Sequence, residues 1–584
     1  MKNKLFRAFT YSTVVCILWA LIFTQHFNVY GSYDLFSIAY IVGHAAEFAF
    51  ALFLLSVILS ILPRKLWGVL AITIAVAITT FLSVDYIVYK QFRLHITGSM
   101  LSMFFGPASG DIFVFPKSMY ITAAGALIAI VAVITGLWVL SQRLRKIPIL
   151  IALFMFISLV GYNITHAWAS FAEYNPITTQ MTVLPITFPL SANKLLRNLG
   201  FEAPERIEQF EPQLMSYPLD NITLNAPDTP NIILIMLDGW RTDTMNEFNT
   251  PNIFEFSKGA VQFNNHNANS NHTRHGVFSI FYGLPGAYWD AAVTDTVSPV
   301  LIDTLQSLNY DFGIFASAAL TSPEFHKTVF TKIPNLRLST DAPSTILRDR
   351  KITEEFIEFL DSRDNKTPFF SFLFYDSTHA YQYDNTTYTP KFLPDKERDY
   401  LETQDKTLIF NRYRNSVGYA DMLVGRALEA IEAKGIADNT IIIITGDHAE
   451  EFDDLGKGYW GHNGNYSEFQ TKVPMIIRWQ GKEPAVYNYR TSHIDIVPTI
   501  MQSIFHTTTP VESYTTGVNI FSSDGRKFIY MQGDEYAILT DDIITIFRKI
   551  GLLETVTERY DRTDKRVNPL ILKDMMEEIG RFKR

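Results

Sequence analysis

The chain has 584 residues, too many for one compact domain, so two or more units are expected. Charged residues make up 19% and aromatics 14%, and Cys16 is the only cysteine, which excludes an internal disulfide and any Cys-rich metal site. Residues 1–200 carry 13 Lys+Arg against 5 Asp+Glu and the remainder 37 against 54, so the acidic back half lacks the basic face of a general nucleic-acid binder, and no nucleic-acid partner is expected.

Apolar runs long enough to cross a bilayer, about 20 residues each, occur near 9–27, 36–62, 66–88, 118–141 and 147–168. The first run follows Lys2, Lys4 and Arg7, as a signal peptide would. No small-residue cleavage site comes after it and more spans do, so it reads as retained. Basic residues fall before span one, between spans two and three (Arg64, Lys65) and between spans four and five (Arg143, Arg145, Lys146). That bias places the N-terminus inside and everything after about residue 170 outside, which in a bacterium means the inner membrane and the periplasm. His44 and Glu47 are three apart and share a face of span two, and Asp85 lies near the end of span three. Ionisable groups at membrane depth face a protein interior or a polar path. A polar pair that holds helices together is the plainer reading here. Lipid transport through the spans would rest on these three residues alone.

Residues 169–230 read as a connector, between a transmembrane domain of five helices (1–168) and a third unit (231–584). Pro176, Pro185 and Pro189 break any long helix. SANKLLRNLGF then reads as a short amphipathic helix, with Leu195, Leu196 and Leu199 on one side and Lys194 and Arg197 nearby. Such a helix beside a membrane either packs on protein or lies at the interface, where its cations meet lipid phosphates.

The third unit alternates short apolar runs with helical stretches. NIILIML (231–237), DFGIFA (311–316), FFSFLFY (369–375), TIIIIT (440–445) and VPMIIRW (473–479) read as strands buried on both faces. That pattern suits an α/β domain with a mostly parallel sheet covered by helices. Residues 411–435 form an amphipathic helix ending at Gly435, and KFIYMQG, YAILT and DIITIF read as an antiparallel addition. Reactive groups in such sheets gather at the carboxyl ends of strands. Three ends carry them here: Asp238, then Asp376 with His379, then Asp447 with His448, and His462 follows in WGHNGN. Carboxylate and imidazole together suit one divalent ion, zinc or manganese ahead of magnesium, and less so calcium. Thr273 precedes the apolar run GVFSIF and is expected at a helix N-terminus, where a nearby dication would make its hydroxyl a nucleophile. An ordinary helix cap is the alternative at that position.

The ordered set LDGWR, NSNHTRHG, DSTHAY, DNTIIIITGDHAEEF, GHNG and TSHIDIVPTI resembles the alkaline-phosphatase superfamily. Within it, the set is most similar to the sulfatase-like branch of lipoteichoic acid synthases and phosphoethanolamine transferases. The resemblance implies that Asp238, Thr273, Asp447 and His448 bind the metal, with Thr273 also the nucleophile. His379 and His462 would then bind substrate phosphate or protonate the leaving group. HTRHG stands where sulfate-ester hydrolases carry a Cys or Ser that becomes formylglycine, so sulfate-ester cleavage is not expected. Gly239 stands where two-metal relatives often carry a second Asp, so one tight metal is expected.

Over nearly the whole chain, with IVGHAAEF and VDYIVYKQFRLH among the matching stretches, the sequence resembles the PbgA/YejM family of Gram-negative inner-membrane proteins. That likeness implies a regulator of outer-membrane lipid balance that senses lipopolysaccharide through lipid A. It further implies an adaptor partner that controls proteolysis of the lipid A deacetylase. Lys194 and Arg197 would contact lipid A phosphate, although Asn193-Lys194 stands where members show paired basic residues. The other reading is an enzyme, a metal-dependent phosphatase or a phosphoethanolamine- or glycerophosphate-type transferase working on lipid head groups.

Overall fold

The computed structural model describes residues 2–30, 35–92, 95–96, 101, 104–105, 117–144, 147–172, 174–188, 190, 192–199, 201, 215–364, 366–397, 405–521, 524–548 and 552–583. Among them, five helices are long and apolar enough to cross a membrane. They are α1 (Lys2–Tyr30), α2 (Leu35–Leu59), α3 (Arg64–Phe92), α4 (Lys117–Leu140) and α5 (Ile147–Phe171). α1, α3 and α5 contain the expected runs and extend them by a few residues, while α2 and α4 stop three and one residues short of the expected ends. The basic residues at the start of α1 have structural partners. Lys4 Nζ donates to the carbonyls of Ser60 (2.7 Å) and Leu62 (2.8 Å), just past the end of α2. A cation there satisfies carbonyls that the helix leaves open. The Arg7 guanidinium lies 3.9 Å from the centre of the Trp138 ring on α4.

His44 and Glu47 do share a face. His44 Nδ1 lies 3.0 Å from Glu47 Oε2, and Asn163 of α5 donates to Glu47 Oε1 at 3.3 Å. His44 Nε2 reaches the carbonyl of Pro185 at 2.7 Å, so the pair ties α2 to α5 and to the connector. Within the connector, α6 (Asn193–Asn198) is the short helix expected from SANKLLRNLGF. Lys194 and Arg197 lie on it, and their side chains fall outside the described residues.

The C-terminal domain is built on a seven-stranded sheet. In chain order its strands are β1 (Asn231–Leu237), β2 (Val261–Phe263), β3 (Asp311–Ala316), β4 (Phe369–Tyr375), β5 (Thr440–Gly446), β6 (Met475–Arg478) and β7 (Ala485–Tyr487). The order across the sheet is β7-β2-β6-β5-β1-β4-β3. Pairing is parallel at β1/β4, β1/β5, β3/β4 and β2/β7, while β6 runs against both its neighbours. The central strands β1, β4 and β5 are buried at every position, because helices cover both faces. Ile232, Leu234 and Met236 pack on the side of α7 (Thr273–Tyr282), with Val277, Phe278 and Phe281. Ile233, Ile235 and Leu237 pack with Ile352 and Phe356 of α8 (Thr345–Asp361) and with Val417 and Leu423 of α9 (Lys406–Ala433). The long helix starts five residues earlier than its apolar periodicity suggests, at Lys406, capped by Asp405, whose carboxylate accepts the N–H groups of Thr407 and Leu408. It ends beside Gly435, which takes the left-handed φ of +68°.

Four antiparallel strands, β8 (Ile529–Gln532), β9 (Tyr536–Leu539), β10 (Ile543–Arg548) and β11 (Leu552–Thr557), follow in consecutive order. The first three are the expected addition. The fourth, LLETVT, carries a charge and two threonines that dilute its apolar pattern.

Candidate metal centre

β1, β5 and α7 meet at one point. β1 runs straight into Asp238, whose N–H continues the parallel ladder to the carbonyl of Tyr375 (3.0 Å). β5 runs into Asp447 and His448. Asp447 Oδ1 accepts the N–H groups of Gly239 (3.1 Å) and His448 (3.0 Å), which locks the two strand ends together. Thr273 is the first residue of α7 and His272 the capping residue, so Thr273 sits one position inside the expected cap. Its Oγ1 donates to Asp238 Oδ2 (3.3 Å) and lies 3.3 Å from His448 Nε2. His448 Nε2 also lies 3.4 Å from Asp238 Oδ1 and 3.6 Å from Asp447 Oδ2. His448 Nδ1 lies 2.8 Å from the carbonyl of Ala449, an outer contact of the kind that would hold a metal-binding imidazole with Nε2 turned toward an ion.

Asp447 and His448 are 0% exposed and Asp238 3%. Among the described residues, Asp238 Oδ1 and Asp447 Oδ2 are buried without a hydrogen-bond partner, which is costly for a carboxylate unless a cation supplies the missing contact. One ligand atom from each of Asp238, Asp447 and His448 lies within 4.8 Å of the others. The donor set and its two orphaned oxygens fit a single divalent ion, with Thr273 Oγ1 beside it.

The electrostatics point the same way. Burial works against charge on Asp238, but His379, His448 and His462 hold its carboxyl down to about 2. Burial, reinforced by the Asp238 charge, pushes Asp447 up to about 7. Two carboxylates this close do not both ionise readily without a counter-charge. Burial disfavours the charged form of His448 too, yet Asp447 and Asp238 raise it to about 9. In the metal-free protein at pH 7 the imidazole therefore carries a proton on Nε2, which an incoming ion must displace. The sign follows. The raised His448 favours the metal-free fold below its unfolded value of about 6.5 and loses that contribution as pH rises through about 9. Metal affinity runs the other way, rising about tenfold per pH unit between 7 and 9 and then levelling. Calorimetric titration of chelator-treated protein in two buffers of different ionisation enthalpy should show close to one proton released per metal at pH 8. A pH-independent affinity would contradict the assignment of His448.

His379 and His462 stand beside this cluster. Their rings are 5.2 Å apart, and His462 is 4.4 Å from the His448 ring. His379 is 31% exposed and marks the open side of the site; its Nδ1 lies 3.3 Å from Asp376 Oδ1. Burial opposes its charge, but Asp238 and Asp376 raise it to about 10, so it is an imidazolium at neutral pH. His462 is shifted down by burial, and its Nδ1 lies 2.7 Å from Glu450 Oε2. His272 and His275, flanking the Thr273 turn, are held neutral by burial.

Three supporting residues escaped the sequence reading. Glu450 orients His462 and accepts the Tyr381 hydroxyl. Asp349 of α8 accepts the N–H groups of Asp376 (3.0 Å) and Ser377 (2.9 Å), shaping the turn that presents His379. Arg241, in the quoted LDGWR, pairs with Asp243 and Asp454 and donates to the Glu450 carbonyl. The run of acids after His448 was the available signal for Glu450 and Asp454.

Residues 230–504 match the Sulfatase family and residues 12–227 a domain of unknown function, DUF3413. By that match the C-terminal unit is sulfatase-like over residues 230–504. Over nearly its whole length the chain is similar to the inner membrane protein YejM. It is 24% identical to YejM of Salmonella typhimurium, over 94% of this chain and 91% of that protein. Among solved structures it is similar to a Vibrio parahaemolyticus protein of the alkaline phosphatase superfamily (TM-score 0.46, 17% identity, 64% of this chain and 90% of that one). It is also similar to the lipoteichoic acid synthase LtaP of Listeria monocytogenes (TM-score 0.44, 14% identity, 62% and 94%). The five apolar helices and the YejM likeness support an inner-membrane location.

Proposed function

We propose that the C-terminal domain is a metal-dependent phosphohydrolase or phosphotransferase that works on lipid head groups at the periplasmic face, with Thr273 as nucleophile. The observation that carries this reading is the pair of unpartnered buried oxygens, Asp238 Oδ1 and Asp447 Oδ2, gathered around His448 Nε2 and the Thr273 hydroxyl. Zinc or manganese suits two carboxylates and an imidazole. Bound there, the ion would lower the pKa of the Thr273 hydroxyl and polarise the phosphate. Thr273 sits in the first turn of α7, where free N–H groups and the helix dipole favour negative charge. As the alkoxide, its Oγ1 forms the bond to phosphorus. The bond from phosphorus to the leaving oxygen breaks, and that oxygen takes its proton from the His379 imidazolium. Water or an acceptor hydroxyl, deprotonated by the now neutral His379, then displaces Thr273. His462, steadied by Glu450, faces the same space and binds the phosphate. Detergent-purified full-length protein should hold about one metal per chain and release phosphate from a generic monoester, and chelation should abolish release. Metal without turnover would leave this domain a scaffold.

A second reading, regulation of lipopolysaccharide balance through lipid A sensing, is favoured by the connector. Ile186, Phe188, Leu190, Leu195, Leu199 and Phe201 are exposed there in one short stretch, as a segment lying against lipid requires. Lys194 and Arg197 would meet lipid A phosphates, and an adaptor would relay the signal. Replacing both by Ala should weaken binding to lipid A-containing vesicles by about 30-fold, at about 1 kcal/mol per basic residue, and leave monoester turnover unchanged. Unaltered vesicle binding would remove the sensing role from this helix.

A further inference from the structure

The ionisable residue that the sequence left without a partner, Asp85, is fully buried near the end of α3. Two histidines from different segments aim at one of its oxygens. His26 Nε2 of α1 lies 3.2 Å from Asp85 Oδ2, and His95 Nδ1, from just beyond α3, lies 2.8 Å from the same atom. The other oxygen, Oδ1, accepts the N–H of Ile96 (2.8 Å). His26 Nδ1 lies 3.2 Å from the carbonyl of Ile22, one turn back on α1. With the proton on Nδ1, donated to that carbonyl, the Nε2 lone pair faces the carboxylate and a cation between the two fits; with the proton on Nε2 the contact is a hydrogen bond.

Geometry favours the cation. Two imidazole nitrogens and one carboxylate oxygen lie within 4.8 Å of one another. The edge of a tetrahedron around zinc with bonds of about 2.0–2.1 Å is about 3.3 Å, close to the separations found. A ring N–H donated to a backbone carbonyl is the usual outer contact of a metal-bound histidine. The second histidine is held in place as well, because the His95 ring stacks on Tyr89 at 4.6 Å, with the planes 8° apart. His26 is 0% exposed while the His95 side chain is 19% exposed, so the cluster meets solvent on the His95 side.

We propose that His26 Nε2, Asp85 Oδ2 and His95 Nδ1 form a second transition-metal site, zinc by its donor chemistry, at the end of the helix bundle where the chain leaves α5 for the C-terminal domain. The ion ties α1 and α3 to the segment that follows α3. It sits apart from the centre at Asp238, Asp447 and His448 and does not depend on the reading given for that centre.

The test uses full-length protein in detergent carrying Asp447→Asn and His448→Ala, so that the C-terminal centre is silenced and the spans are untouched. After chelation, zinc loading and desalting, elemental analysis should find one zinc per chain. Cobalt(II) loading should give the visible absorption of a low-coordinate nitrogen–oxygen site. Adding His95→Ala, or separately His26→Gln, should remove both signals, with far-ultraviolet dichroism of the stripped protein unchanged. Zinc that is not retained, or that is retained equally after both added substitutions, overturns the site and leaves a proton-sharing His–Asp–His contact in its place.

Discussion

Thr273→Ala is expected to lower phosphoester turnover by a factor on the order of 10³ or more, the scale seen when a covalent nucleophile is removed. Melting temperature and secondary structure should stay close to those of the wild type. Thr273 is the first residue of α7 and its side chain is not the helix cap, so its loss removes no capping bond. Its contacts at 3.3 Å to Asp238 Oδ2 and His448 Nε2 are long and hold little of the fold. Metal should remain bound through Asp238, Asp447 and His448, with affinity reduced. Thr273→Ser keeps the hydroxyl and should retain much of the rate. Steady-state kinetics on the three proteins, with metal measured in the same samples, separates the roles. Equal turnover by wild type and Thr273→Ala would rule out Thr273 as the nucleophile, whatever the metal content.

The site was legible in the sequence to the extent that its residues end long buried strands. β1, β4 and β5 are seven apolar positions or nearly so, and Asp238, Asp376, Asp447 and His448 sit where such runs stop. β2 and β7 have three residues each, too few to show any period. Partnerships made through tertiary folding were hidden in the same way. Glu450 and His462 are 12 apart and meet because Glu451–Phe452 pairs with Trp460–Gly461 in a small antiparallel ladder that carries the chain back. His26 and Asp85 are 59 apart and meet only because α1 packs on α3. Apolar length revealed both helices but not their mutual register. The motif NSNHTRHG placed Thr273, while the reason for its glycine became visible only with α7 docked.

Gly276→Ala is expected to damage the centre without touching a ligand. A Cβ at Gly276 would lie 2.2 Å from the carbonyl oxygen of Asp447 and 3.0 Å from its carbonyl carbon. Both sides of that contact are main chain, α7 on one and the end of β5 on the other, so no side-chain rotation relieves it. The helix must move off the strand end by roughly an ångström to restore ordinary contact. Thr273 starts the helix that would move, and Asp447 with His448 forms the end it would leave. The hydroxyl and the carboxylates then separate, and a shift of that size costs about 10²-fold in rate. Overpacking adds about 1–3 kcal/mol of destabilisation, so the melting temperature should fall as well. Ser279→Ala supplies the control. Ser279 is buried on the same helix, one turn on, and its hydroxyl has no partner among the described residues. Removing that oxygen should leave stability and turnover near wild type. Metal affinity and monoester turnover measured for both variants decide the matter, because a Gly276→Ala protein that binds metal and turns over normally would mean that α7 does not dock on Asp447 as closely as the structure has it.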